Sequence, residues 1–174
     1  MFIINCKNYD EISGDKIIKL AKISQRISKK YKIPIAIAPP HHLIPLITKF
    51  NVIVLAQHLD DKKVGSTTGF MIPEIVKRSK INGSLINHSE HRISEKEIKN
   101  LIKRLKRLKL NPTFIAIEPP ELIGTGRAIS TERPQLITKA VDGVKSAKNS
   151  TKLLCGAGIV SGKDVARAKE LGSK

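Results

Sequence analysis

The chain has 174 residues, 40% hydrophobic and 3% aromatic, with a formal net charge of +17. That length fits one domain with its own core, and that apolar content excludes a disordered chain. The longest apolar runs fall well short of the roughly 20 residues that span a bilayer, so no membrane segment is expected.

The elements alternate in a regular way. "FIIN" (Phe2 to Asn5) reads as a strand, followed by a helix from about Asp15 to Lys30. "IPIAIA" (Ile33 to Ala38) is a second strand, with a short helix around Leu43 to Lys49. "VIVLA" (Val52 to Ala56) is a third, then a Gly-rich loop and a helix around Pro73 to Lys80. "SLIN" (Ser84 to Asn87) precedes the clearest helix. There Ser94 and Glu97 have capping-box spacing, and Ile98, Leu101, Ile102, Leu105 and Leu108 recur on one face. "TFIAI" (Thr113 to Ile117) is the fifth strand. Its helix is expected to start near Pro134, with Leu136, Ile137, Ala140, Val141 and Val144 as the apolar stripe. "KLLC" (Lys152 to Cys155) is the sixth strand, and a last helix runs from about Asp164 to Leu171.

Six strand-then-helix units predict an α/β fold with a parallel sheet and crossover helices, in one domain over residues 1–174. The strands are near-continuous apolar runs, as expected when both faces are covered. No charged leader precedes a long apolar stretch, so no signal peptide is expected. The two cysteines, Cys6 and Cys155, suggest no disulfide framework and a reducing cytoplasm. The positive charge is spread over every expected helix, and aromatic stacking platforms are scarce. It therefore reads as solvated faces with some attraction for anionic metabolites rather than as a nucleic-acid surface. The basic run from Lys103 to Lys109 reads as the wet face of its helix.

In parallel α/β folds the carboxyl ends of strands carry the site. Three such ends hold chemically active groups: Asn5 and Lys7 in "NCK", His88 in "NHSEHR", and Glu118 after the fifth strand. Strand alternation would put Asn5 and Lys7 on one side, and Ser84, Ile86 and His88 on another. Each group alone has a structural explanation, such as a surface lysine, a hydrogen-bonded histidine or a carboxylate paired with a base. Together a cation, an imidazole and a carboxylate at strand mouths suggest a reaction centre. Behind Glu118, "PP" stiffens one hinge, and Gly124, Thr125 and Gly126 supply a flexible one. "CGAGI" (Cys155 to Ile159) has small residues whose backbone N–H groups can approach an anion.

The ordered motifs "INCKNY", "AQHLDD", "GSTTG", "LINHSEHR", "EPPELIGTG" and "LCGAGI" resemble those of triosephosphate isomerases of the short archaeal type, over nearly the whole chain. The resemblance implies a TIM-barrel-like fold and isomerisation of a triose phosphate without metal or organic cofactor. It implies that Glu118 is the base, that His88 is a neutral electrophile, and that Lys7 supplies positive charge with Asn5 orienting nearby groups. It further implies a lid carrying Ile123 and Gly124, a phosphate loop of Gly156, Ala157 and Gly158, and Glu90 as an acid beside the site. Thr68 would lie in a loop that reaches a neighbouring subunit of a dimer or tetramer. The family barrel has eight βα units and six are counted here. About one internal unit, between the fourth helix and "TFIAI", and the eighth unit have no counterpart. Three consequences stay open: an enzyme completed by another chain, a shortened relative that only binds phosphorylated ligands, or an incomplete reading of a longer gene.

Overall fold

The computed structural model describes residues 1–146 and 151–174. Their packing divides them into two compact units, Met1–Leu85 and Ile86–Lys174.

The first unit is built on β1 (Phe2–Asn5), β2 (Ile35–Ala38), β3 (Ile53–Ala56) and most of β4 (Gly83–Ile86). β1 and β2 pair in parallel from Phe2↔Ile35 to Asn5↔Ala38. β2 continues in parallel onto β3 through Ala36↔Ile53 and Ile37↔Val54, and β3 onto β4 through Leu55↔Gly83 and Ala56↔Ser84. All four residues of β2 are buried, which explains its unbroken apolar run. The strand begins after Pro34, a residue with no N–H to donate to a ladder, so Ile33 falls outside it. Helix α1 (Lys16–Tyr31) covers the sheet with Ile17, Ala21 and Ser24, spaced at one helical face. α2 (Ile44–Ile47) and α3 (Pro73–Arg78) are short, and α3 carries its proline in the first turn.

The second unit pairs β5 (Thr113–Ile117) with β6 (Lys152–Cys155) in parallel, from Phe114↔Lys152 to Ile117↔Cys155. Helix α4 (Glu95–Leu108) starts at the expected capping box. The Glu97 N–H donates to Ser94 Oγ, and the Ser94 N–H donates to Glu97 Oε2 at 2.9 Å. Leu101, Ile102 and Leu105 are its buried stripe, flanked by the partly buried Ile98 and Leu108.

Two helices, not one, follow the loop after β5. α5 (Ile129–Glu132) precedes α6 (Pro134–Ser146), and Ile129 is fully buried. Arg133 between them has φ −139°, because a residue before proline is pushed out of the helical region. Pro134 opens α6 as expected, and α7 (Gly162–Glu170) closes the second unit with its own Ser161–Asp164 box. Among the described residues no helix is long and apolar enough to cross a membrane.

Candidate active site

In the first unit the candidate residues follow β1. The strand stops at Asn5, and Lys7 has φ 49°, in the left-handed region. The alternation expected for Asn5 and Lys7 therefore does not apply, since the chain turns out of the strand between them. Such a conformation costs a non-glycine residue about 1 kcal/mol or more, and hydrogen bonds hold it in place. The Lys7 N–H donates to Asn5 Oδ1 at 3.1 Å. Gln57 Nε2 donates to Lys7 O at 2.9 Å and to Ala38 O at 3.2 Å, and the Gln57 N–H donates to His41 Nε2. Asn5 thus sets the Lys7 backbone from one side and Gln57 from the other. The loop with Thr68 is exposed.

The second unit brings together three segments. Asn87 leaves β4 with φ 60°, so His88 too lies beyond the strand's alternation. Asn87 fixes this turn: its Nδ2 donates to Ala116 O at 2.9 Å, and its Oδ1 accepts the Ile93 N–H at 3.1 Å. His88 Nε2 then lies 3.6 Å from Glu118 Oε2, and His88 Nδ1 lies 3.5 Å from Glu90 Oε2. These distances are polar contacts longer than good hydrogen bonds. The shorter contact is the Ser89 N–H, which donates to Glu118 Oε2 at 2.8 Å. His88 and Glu118 are four-fifths buried, with side chains 20% and 18% exposed. Arg92 does not pair with the Glu118 carboxylate. Its Nη2 donates to the Glu118 backbone carbonyl at 2.8 Å, directly before Pro119.

The loop after β6 closes on the same carboxylate. Gly156 donates its N–H to Ile117 O at 3.0 Å. A methyl group at Gly156 would come within 2.9 Å of Glu118 Cγ and closer still to its Oε1. Ala157 and Gly158 have φ 73° and 67°, so two consecutive residues are left-handed. Gly158 lies directly against the Arg127 carbonyl, where no Cβ fits, and Ala157 O accepts the Ile129 N–H at 3.2 Å. Cys155, at the end of β6, has its thiol pushed up mainly by burial, with the Glu118 carboxylate contributing.

Between Glu118 and Arg127 the chain is anchored at points and exposed elsewhere. Pro120–Leu122 form one 3₁₀ turn with Leu122 buried, while Ile123 is 48% exposed. Gly124 and Gly126 have φ 75° and 71°. Thr125 Oγ1 donates to Leu122 O at 2.8 Å and accepts the Arg127 N–H, and Glu121 pairs with Arg133 at 2.9 Å. The structure therefore gathers His88, Glu118 and Gly156 closely, keeps Ala157 and Gly158 in the adjoining turn, and leaves Ile123 and Gly124 on an exposed loop. Sequence reasoning assigned no task to Ser89, Arg92 or Gln57. All three lie inside quoted motifs, but their roles run through backbone atoms that a side-chain reading does not consider.

A family model described as triosephosphate isomerase matches residues 1–107 and 92–174. The triosephosphate isomerase of Cenarchaeum symbiosum is 48% identical, with 100% of this chain and 86% of that protein aligned. That of Methanothermus fervidus is 35% identical over 100% of this chain and 87% of its own length. That of Saccharolobus solfataricus is 38% identical over 99% and 84%. The crystal structure of triosephosphate isomerase from Bartonella henselae aligns with a TM-score of 0.70, covering 98% of this chain and 72% of that one. At 15% identity this shows the fold. The alignment with the C. symbiosum protein spans 192 positions, more than the residues present here, so that relative has internal sequence this chain lacks. The two family matches meet on residues 92–107, within the stretch that holds α4.

Proposed function

The chain belongs to the triosephosphate isomerase family, and from this premise we propose that it interconverts dihydroxyacetone phosphate and D-glyceraldehyde 3-phosphate. The observation that carries the reading is the meeting of Glu118 and His88, 3.6 Å apart, at the ends of separate strands and beside a loop with successive left-handed residues.

The reaction moves a proton between two adjacent carbons. A C–H beside a carbonyl is a very weak acid, so a carboxylate alone is slow. The charge that develops on oxygen needs fixed donors in a site with little water. Glu118 takes the proton, and His88, neutral, donates toward the carbonyl oxygen. This pairing is the established chemistry of the family rather than a deduction from these distances. Glu118 then returns the proton to the neighbouring carbon, while the hydroxyl proton passes from one oxygen of the enediol to the other through His88, which completes the aldose–ketose exchange without an electron carrier. Lys7 supplies positive charge to substrate and enediolate, with its backbone set by Asn5. The N–H groups of Ala157 and Gly158, in the turn after β6, receive the phosphate, while Gly156, whose N–H is held by Ile117 O, shapes the start of that turn. Ile123 and Gly124 ride on the lid that excludes water from the enediolate.

In this reading Glu118 rests on the Ser89 N–H, with its backbone carbonyl held by Arg92. The enzyme works in the cytoplasm as a homo-oligomer, dimer or tetramer, with the loop at Thr68 meeting a neighbour. Light scattering on the purified chain checks the assembly. A coupled assay in both directions tests the activity, alongside calorimetry with phosphoglycolate, a mimic of the enediolate. Turnover that fails in Glu118→Asp supports the isomerase. Tight phosphoglycolate binding with no turnover replaces it with a phosphate-ligand binder.

A further inference from the structure

The amino ends of β2, β3 and β4 in the first unit hold a cavity of about 810 Å³. It is lined by Gln25, Ser28, Lys29 and Lys32 of α1 and its end, by residues 33–35 and 51–53 that lead into β2 and β3, and by Asn82 just before β4. Cavities that hold small metabolites typically span about 300–1,000 Å³. Lys7 and Gln57 follow the opposite, carboxyl ends of β1 and β3. These strands are four residues long. At about 3.3 Å per residue, the two ends of the sheet lie roughly 10 Å or more apart.

The lining has a definite chemical order. Gln25, Ser28, Lys29 and Lys32 recur at the i, i+3, i+4, i+7 spacing of one helical row, so two ammonium groups and two polar side chains share one side. Lys32 caps α1 in the left-handed region, at φ 53°, and the chain turns there toward β2. Two amides are held with their oxygens on backbone donors. Gln25 Oε1 accepts the Asn51 N–H at 2.7 Å, and Asn82 Oδ1 accepts the Val54 N–H at 2.8 Å. Each amide keeps its NH₂ group as a donor. Ile33, Pro34, Val52 and Ile53 supply apolar surface, and no acidic side chain lines the cavity.

We propose that this cavity binds a nucleoside diphosphate, at a site separate from that of the triose phosphate. The diphosphate meets the Lys29 and Lys32 ammonium groups, with the Ser28 hydroxyl as a further donor. The base lies along Ile33, Pro34, Val52 and Ile53, and its ring nitrogens and the ribose oxygens accept from Gln25 and Asn82. A simple anion would use the two cations and leave the apolar lining wet. A purely apolar ligand would cover the amides and ammonium groups without pairing them, which is costly. A ligand with both parts matches the lining as it stands. None of these residues takes part in the proton transfer, so the site stands whether or not the chain is an isomerase.

The test is calorimetry of the full chain with ADP, adenosine and inorganic diphosphate, with and without saturating phosphoglycolate. The expected result is one ADP per chain with Kd below about 1 mM, and adenosine and diphosphate each weaker by about tenfold or more. Lys29→Gln with Lys32→Gln should weaken ADP by about tenfold or more. Asn51→Trp, which fills the cavity without changing charge, should do the same. Lys103→Gln with Lys106→Gln, two exposed lysines of α4, should bind as the native chain does. All these variants change exposed residues, and circular dichroism should match the native chain. No saturable ADP binding up to about 1 mM, or native binding by Asn51→Trp, overturns the proposal. Equal loss in the two lysine pairs also overturns it, because the attraction would then be diffuse and owed to the +17 charge. Diphosphate binding as tight as that of ADP replaces it with a plain anion site. Displacement of ADP by phosphoglycolate overturns it in favour of the substrate site.

Discussion

Gly156→Ala separates the position of the catalytic carboxylate from the stability of the fold. Gly156 is not among the residues with positive φ, so alanine suits its backbone. The nearest obstacle is the Glu118 side chain: the new methyl would sit 2.9 Å from its Cγ and 3.0 Å from its Cδ. Carbon atoms settle at about 3.5–4.0 Å, so the Glu118 side chain must retreat by roughly 0.5–1 Å. It can do so by rotating about its own bonds, with water available to the displaced carboxylate. The thermal midpoint should therefore move by less than about 4 °C. Catalysis has no such slack, because a shift of about 1 Å in a reacting group costs on the order of 100-fold. The expected result in a coupled assay is a kcat about 100-fold down, or about 2.7 kcal/mol of barrier. Gly158→Ala is the contrast. There φ is 67° and the new methyl would strike the Arg127 backbone, which cannot swing away. That substitution should cost about 2 kcal/mol or more, lowering the midpoint by roughly 4–8 °C. An unchanged kcat in Gly156→Ala would refute the placement of the base. So would a loss of stability matching that of Gly158→Ala.

His88→Ala removes the donor to the carbonyl and should lower kcat by about 100- to 1,000-fold, with circular dichroism unchanged. Ser94→Ala breaks the capping box of α4 and should cost about 1 kcal/mol, read as a fall of about 2–4 °C in the thermal midpoint. Burial pushes the Cys6 thiol from 9.0 to about 11. The folded chain thus favours the protonated form, while the unfolded chain ionises at the ordinary value. That contribution is complete below about pH 9 and is lost as pH rises toward about 11. Urea unfolding across this range should show a stability that falls with pH in the native chain and falls less in Cys6→Ala.

The sequence made the sheet legible because a doubly covered strand is an unbroken apolar run with abrupt ends. Phe2–Asn5, Thr113–Ile117 and Lys152–Cys155 match their expected bounds. The capping box of α4 and the proline opening α6 were equally plain, since each is a local rule satisfied by a few adjacent residues. The alternation rule failed at Lys7 and His88. It holds only while the chain stays in the strand, and Lys7 and Asn87 turn it away. The Glu118 surroundings were half visible. Side chains such as His88 could be named from type and position. The Ser89 N–H, the Arg92 contact to a carbonyl and the space left by Gly156 involve main-chain atoms or a missing Cβ. Separate α5 was missed because its four residues are too few to display a period.

The central claim is that Glu118 carries a proton away from a carbon of the substrate. The direct measurement is isomerisation of dihydroxyacetone phosphate in heavy water, followed by proton NMR, for the native chain and Glu118→Gln. A proton resting on a carboxylate exchanges with solvent. The native chain should therefore yield glyceraldehyde 3-phosphate with deuterium on the carbon beside the carbonyl, and Glu118→Gln should yield neither product nor label above background. Product formed without any label, or at the same rate by Glu118→Gln, would contradict it.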